Sequence, residues 1–77
     1  FDATIEIKGI DRKGMLLDVS KVISDQLGIN IHKLTISSDK GIFDGTIELR
    51  IHDRDEVGVI MDQLKKIEDL QDVQRIL

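Results

Sequence analysis

Twice in this chain the hydrophobic pattern switches from a period of two to a helical period. Phe1, Ala3, Ile5 and Ile7 alternate with Asp2, Thr4, Glu6 and Lys8. Gly9 closes that stretch, and after the charged turn Asp11-Arg12-Lys13 a helical pattern begins near Gly14. Further on, Phe43, Gly45, Ile47, Leu49 and Ile51 alternate with Asp44, Thr46, Glu48, Arg50 and His52, and a second helical stripe follows. Alternation places apolar side chains on one face of a strand, and a stripe places them on one face of a helix. Two strands and two helices that each have one apolar face must bury those faces together.

The segments between these switches complete the plan. Leu16, Val19, Ile23 and Leu27, widened by Met15 and Val22, form the stripe of a helix over about Lys13–Leu27, with Asp18, Lys21 and Asp25 opposite and Gly28 at its end. Residues 29–38 read as a second strand. There Ile29 and Ile31 have one parity, and Leu34 and Ile36 the other. One strand can put both pairs on one face only through an extra residue, which predicts a bulge near His32-Lys33. Asp39-Lys40-Gly41 is turn chemistry. Gly45, inside a strand, predicts a close approach by a neighbour. Asp53, with Glu56 three residues later, predicts a capped helix start. Val57, Ile60, Met61, Leu64 and Ile67 supply the second helix's stripe. Glu68-Asp69 begins a loop, and Val73 with Ile76 or Leu77 gives a short last strand. The order β-α-β-β-α-β, with right-handed crossovers, predicts an α+β, ferredoxin-like sandwich. Its four-stranded antiparallel sheet has order 4-1-3-2, with both helices on one face. The other face would carry Thr4, Glu6, Lys8, Thr46, Glu48, Arg50 and His52.

Composition narrows the function. At 77 residues the chain is expected to be a single domain over 1–77. Because its strand pattern starts at Phe1, with no initiator Met, it is expected to be a piece of a longer protein. A core this small supplies only about 3–5 kcal/mol, and with no cysteine no disulfide adds to it. The absence of cysteine fits a reducing, cytoplasmic setting. A net charge of −4 and a pI of about 5.0 argue against a free-standing nucleic-acid binder. RNA-recognition modules share this element order but stack bases on aromatic residues of the sheet. The two aromatics here, Phe1 and Phe43, both have core parity. No apolar run is long enough to span a bilayer, so no membrane partner is expected.

Few residues offer chemistry. At Asp11-Arg12-Lys13-Gly14, amides at a helix start and two cations could attract an anion such as the carboxylate of an amino acid. The same residues also serve structural ends, with Asp11 capping, Gly14 relieving a tight turn, and Arg12 and Lys13 solvated. Asn30 can donate and accept, or simply turn the chain. His32 and His52 lie on different strands without further ligands at metal spacing, so no metal site is expected. No serine, histidine and acid form a local catalytic motif. An acylphosphatase-type hydrolase shares the fold class and uses an arginine near the first loop, but the loop here is short and charged rather than a glycine-rich phosphate cradle.

The stretch Ile5-Glu6-Ile7-Lys8-Gly9-Ile10-Asp11-Arg12-Lys13-Gly14-Met15-Leu16-Leu17-Asp18-Val19-Ser20, together with Gly28-Ile29-Asn30-Ile31, resembles an ACT domain. With Asp39-Lys40-Gly41-Ile42-Phe43-Asp44-Gly45 added, the chain is most similar to the C-terminal ACT domain of long RelA/SpoT-type proteins. Those are GTP pyrophosphokinases and (p)ppGpp hydrolases of the stringent response. The resemblance implies a regulatory, non-catalytic domain without a cofactor, in a parent that is a GTP pyrophosphokinase. It implies a homodimer joined through sheet edges. It also implies an amino-acid effector held between Asp11, Arg12, Gly14, Met15 and Leu16 of one copy and Asn30 and Ile31 of the other. A side chain at Gly14 would then block the ligand and crowd the turn. Docking to the ribosome–tRNA complex is a further role the resemblance implies, and a ligand-free dimerisation module of an amino-acid enzyme is the alternative.

Overall fold

The computed structural model describes residues 2–76; the expectations placed on Phe1 and Leu77 lie outside them. Strands β1 (Asp2–Ile10), β2 (Asn30–Asp39), β3 (Ile42–Arg50) and β4 (Leu70–Arg75) form one antiparallel sheet in the order β2-β3-β1-β4. Helix α1 (Met15–Ser20) runs without a break into a π-helical segment (Lys21–Gln26), and α2 (Asp55–Leu64) lies between β3 and β4. The sheet is the one its alternation predicts. Ala3, Ile5, Ile7, Phe43, Ile47 and Leu49 are buried against Met15, Val19, Ile23, Val57, Ile60 and Leu64 in one core. Each such aliphatic side chain contributes roughly 1.5–3 kcal/mol on burial.

Local signals in the sequence account for most joints. The β2–β3 register shifts between Ile31 and Lys33, where the change of parity places the bulge. Lys40 (φ 53°) and Gly41 (φ 81°) both take positive φ, the two-residue turn whose twist suits a hairpin. At the start of α2, Asp53 Oδ1 accepts the Asp55 amide at 3.0 Å, and Glu56 Oε1 accepts the Asp53 amide at 3.1 Å. A carbon on Gly45 would lie 2.9 Å from Ile36 Cδ1 and 3.1 Å from Ile7 Cγ1, the close approach that position predicts.

Several details differ from the sequence reading. Helix α2 ends at Leu64, so Ile67 of its expected stripe packs on the core from the turn beyond the helix. Strand β1 does not end at Gly9; it continues to Ile10, and Gly9 lies where the β1–β4 register shifts. Strand β4 begins earlier than the pattern suggests, at Leu70, and Ile76 is exposed beyond its end. On the first helix Met15 is 1% exposed and Leu16 46%, so Met15 rather than Leu16 starts the buried stripe.

That stripe explains the π-helical segment. Met15, Val19, Ile23 and Leu27 recur every four residues, more than the 3.6 of an α-helix and less than a π-helix allows. A regular α-helix would turn Gln26 toward the core in place of Leu27. The wider segment, with Leu27 N–H donating to Val22 O at 3.2 Å, turns Leu27 inward and leaves Gln26 exposed. Deleting the exposed Ser24 is therefore expected to convert the segment to α-helix and keep Leu27 in place, with stability within roughly 1 kcal/mol of the parent chain. Amide NOE patterns and urea unfolding would check this; loss of the fold would contradict it.

Candidate functional site

The first loop is built from both ends of the chain. Ile10 N–H donates to Asp69 O at 2.8 Å and Asp11 N–H to Gly41 O at 2.9 Å, which ties the loop to the α2–β4 turn and to the hairpin turn. Met15 N–H donates to Arg12 O at 3.2 Å, closing a turn, and Asp18 N–H donates to Gly14 O at 2.9 Å, opening the helix. Gly14 stands between them at φ 86°, a conformation costly for residues with a side chain. Crowding is not the reason for glycine here: a β-carbon would come no nearer than 3.9 Å to any neighbour, the nearest being Arg12 Nη1.

Arg12 is not a solvated cation. Its Nη2 donates to Asp18 Oδ2 at 2.8 Å and to Glu68 O at 2.9 Å, its Nε lies 3.2 Å from Asp69 Oδ2, and its Nη1 donates to Lys13 O at 3.3 Å. The hydrogen bond to Asp18 raises its pKa further; the nearby carboxylates add to this, and burial opposes it. The guanidinium stays charged, and that charge is already matched by two carboxylates. Lys13 is exposed.

On the other side of the loop lies a cavity of about 590 Å³. Asp11, Arg12, Gly14, Met15 and Leu16 border it, so the structure gathers the five loop positions of the candidate site. It adds residues that sequence reasoning missed: Leu17 and Ser20 from α1, Ile36 and Ser38 from β2, and Phe43 from β3. Their signal was the parity of Ile36, Ser38 and Phe43, which points them to the helix side at the hairpin end of the sheet. Leu16 and Leu17 remain 46% and 56% exposed beside this cavity.

Asn30 and Ile31 are not brought to the loop within one chain. Asn30 pairs with Arg50, which pairs with Asp2, whereas the loop follows Ile10. Eight strand residues at about 3.3 Å each separate them by roughly 26 Å. Asn30 instead borders a separate cavity of about 290 Å³ with Ile29, Arg50 and His52. Strand β2, which carries Asn30 at one end and Ile36 and Ser38 toward the other, is an outer strand paired only with β3. Among the described residues, no three or more His, Cys, Asp or Glu side chains are grouped to hold a metal ion. No helix is long and apolar enough to cross a membrane.

The split β-α-β sandwich, with a cavity at its first loop, places the chain in the ferredoxin-like fold class. The chain belongs to the ACT domain family: the model of that family matches residues 1–75. The crystal structure of the ACT domain from a GTP pyrophosphokinase of Chlorobium tepidum shares 30% identity and superposes with a TM-score of 0.89, covering 99% of this chain and 97% of that one. The small subunit of acetolactate synthase from Thermotoga maritima (19% identity, TM-score 0.86) is covered over 48% of its length and matches all of this chain. A homoserine dehydrogenase from Thiobacillus denitrificans (17% identity, TM-score 0.72) is covered over 17% of its length and matches 99% of this chain. These two likenesses are of fold. Among curated proteins compared by sequence, none matches.

Proposed function

We propose that this chain is the regulatory ACT domain of a GTP pyrophosphokinase, a (p)ppGpp synthetase/hydrolase, and that it binds a small aliphatic amino acid at the first loop. The observation that carries this reading is the composition of the loop cavity. Met15, Leu16, Ile36 and Phe43 offer an apolar wall, while Asp11, Ser20 and Ser38 offer polar groups at its border. A few placed polar groups in an apolar concavity suit a small amphipathic ligand. The charge of Arg12 is already matched, so the cavity is poorly suited to a phosphate group.

The cavity is wider than one amino acid needs and open on one side. A second copy, paired through the free edge of β2, supports completion of the site with Asn30 and Ile31. Free strand edges invite pairing, and the half-buried Ile31, Leu34 and Ile36 leave β2 incompletely covered.

Titration of the 77-residue chain with the twenty amino acids, followed by amide NMR shifts, tests this. Shifts are expected at 11–17, Ile36 and Ser38, and at Asn30–Ile31. Burying an aliphatic side chain gains roughly 1.5–3 kcal/mol, so leucine or valine is expected to bind about 10- to 100-fold more tightly than glycine. A chain that responds to no amino acid would sink effector binding and leave self-pairing as the role. A chain that sediments as a monomer at every concentration would sink the two-copy site.

A further inference from the structure

We infer that Arg12 is a positioning residue: a strut that fixes the first loop to the turn before β4, so that the loop cavity and edge strand β4 respond as one unit. It sits at the border of two concavities. One is the loop cavity; the other, of about 400 Å³, lies between Asp18 and Lys21 of the first helix and Ile67-Glu68. Its guanidinium is held by partners from three places in the chain. Asp18 Oδ2 lies on α1, Lys13 O in the loop itself, and Glu68 O and Asp69 Oδ2 on the α2–β4 turn. A planar fork with fixed donors holds several acceptors in one arrangement, which a lysine ammonium cannot reproduce.

Two further contacts make the joint stiff. Ile10 N–H donates to Asp69 O at 2.8 Å, two residues before Arg12. Gly9 leaves no room between β1 and the Asp69-Leu70 backbone. The turn also has a constrained backbone, with Asp69 at φ 70° although it carries a side chain. A shift of Gly14 or Met15 therefore pulls on Asp69, and Asp69 leads directly into β4. The opposite wall of the cavity, from Ile36 and Ser38, belongs to β2. The loop is thus connected to both outer strands of the sheet, to β2 across the cavity and to β4 through Arg12.

Hydrogen exchange in a double-mutant cycle tests the strut without any ligand. Arg12→Gln is expected to speed exchange of the Met15 and Asp18 amides by at least about threefold, Asp69→Asn by a measurable but no larger factor, and the double variant by no more than Arg12→Gln alone. Exchange in the β2–β3 ladder around Thr35 and Thr46 is expected to stay unchanged, which separates a local strut from general destabilisation. Arg12→Lys is expected to behave like Arg12→Gln. Additive effects, or full rescue by lysine, would overturn the inference. A second arm rests on the amino-acid reading above. With L-leucine as probe, the parent chain is expected to show shifts at 68–70 as well as at the loop, and Asp69→Asn, which lies outside the cavity lining, only those at the loop. Persistence of the distant shifts in Asp69→Asn would overturn the strut. A failure of leucine to bind the parent chain would count against the effector reading alone, since the exchange cycle decides the strut by itself.

Discussion

Replacing Gly9 by alanine is expected to cost about 3 kcal/mol, which leaves a domain of this size mostly or wholly unfolded. The added carbon would collide with Asp69 O and come within 2.9 Å of Leu70 Cα. Both are backbone atoms, and neither can rotate away. Relief requires β4 to leave β1, which uncovers Leu70 and Val73 and breaks the hydrogen bond from Ile10 N–H to Asp69 O. Gly45→Ala is the internal comparison. Its carbon would meet the end of the Ile36 side chain, which can turn aside, and Ile7 Cγ1 at 3.1 Å, which need give by only a few tenths of an ångström, so a smaller loss of about 1–2 kcal/mol is expected. Urea unfolding followed by circular dichroism measures both. A Gly9→Ala chain as stable as its parent would mean that β4 does not sit on β1 as described.

Phe43→Ala is expected to cost about 3–5 kcal/mol, because the residue is 2% exposed and packs into the core at the hairpin end of the sheet. The same ring borders the loop cavity, so its loss would merge core and cavity into one void. Phe43→Leu separates the two effects. It keeps an apolar filler and is expected to cost about 1–2 kcal/mol, leaving a folded chain with a deeper cavity. If the cavity holds an aliphatic side chain, this variant should shift preference toward a bulkier one. An unchanged order of affinities among amino acids would place the ligand away from Phe43.

How much of this was legible in the sequence depends on how far apart the contributing residues lie. Alternation and stripes are local, and they read correctly into strands, helices and strand order. The bulge between Ile31 and Lys33 was legible because a change of parity admits few other solutions. The cap formed by Asp53 and Glu56 was legible because both partners lie within one turn. The role of Arg12 was not, since Glu68 and Asp69, which hold it, lie far along the chain and look like ordinary loop residues. Gly9 read as a strand end for the same reason: the backbone that crowds it arrives with β4. Gly14 was marked as relieving a tight turn, which its positive φ bears out, whereas the crowding also expected there is not found, because a positive φ and a steric clash both select glycine. Of the candidate site, the loop half was named through the family resemblance, and the structure sets those five residues around one cavity. The wall of Ile36, Ser38 and Phe43 became visible only once the hairpin was laid beside the loop.

The strand order also sets the sequence of events in folding. The β2–β3 pair is joined by a two-residue turn, so its closure is quick and costs little chain entropy. The β1–β4 pair brings Ile5 opposite Arg75, almost the longest loop this chain can close. Contacts of such separation form late, after the hairpin and the helices have gathered the core. Energy lost at Gly9 should therefore appear in the unfolding limb of a chevron plot, while energy lost at Lys40-Gly41 should appear in the folding limb. The wall of the cavity is then in place before its loop is fastened, and the last joint to form is the one Arg12 holds.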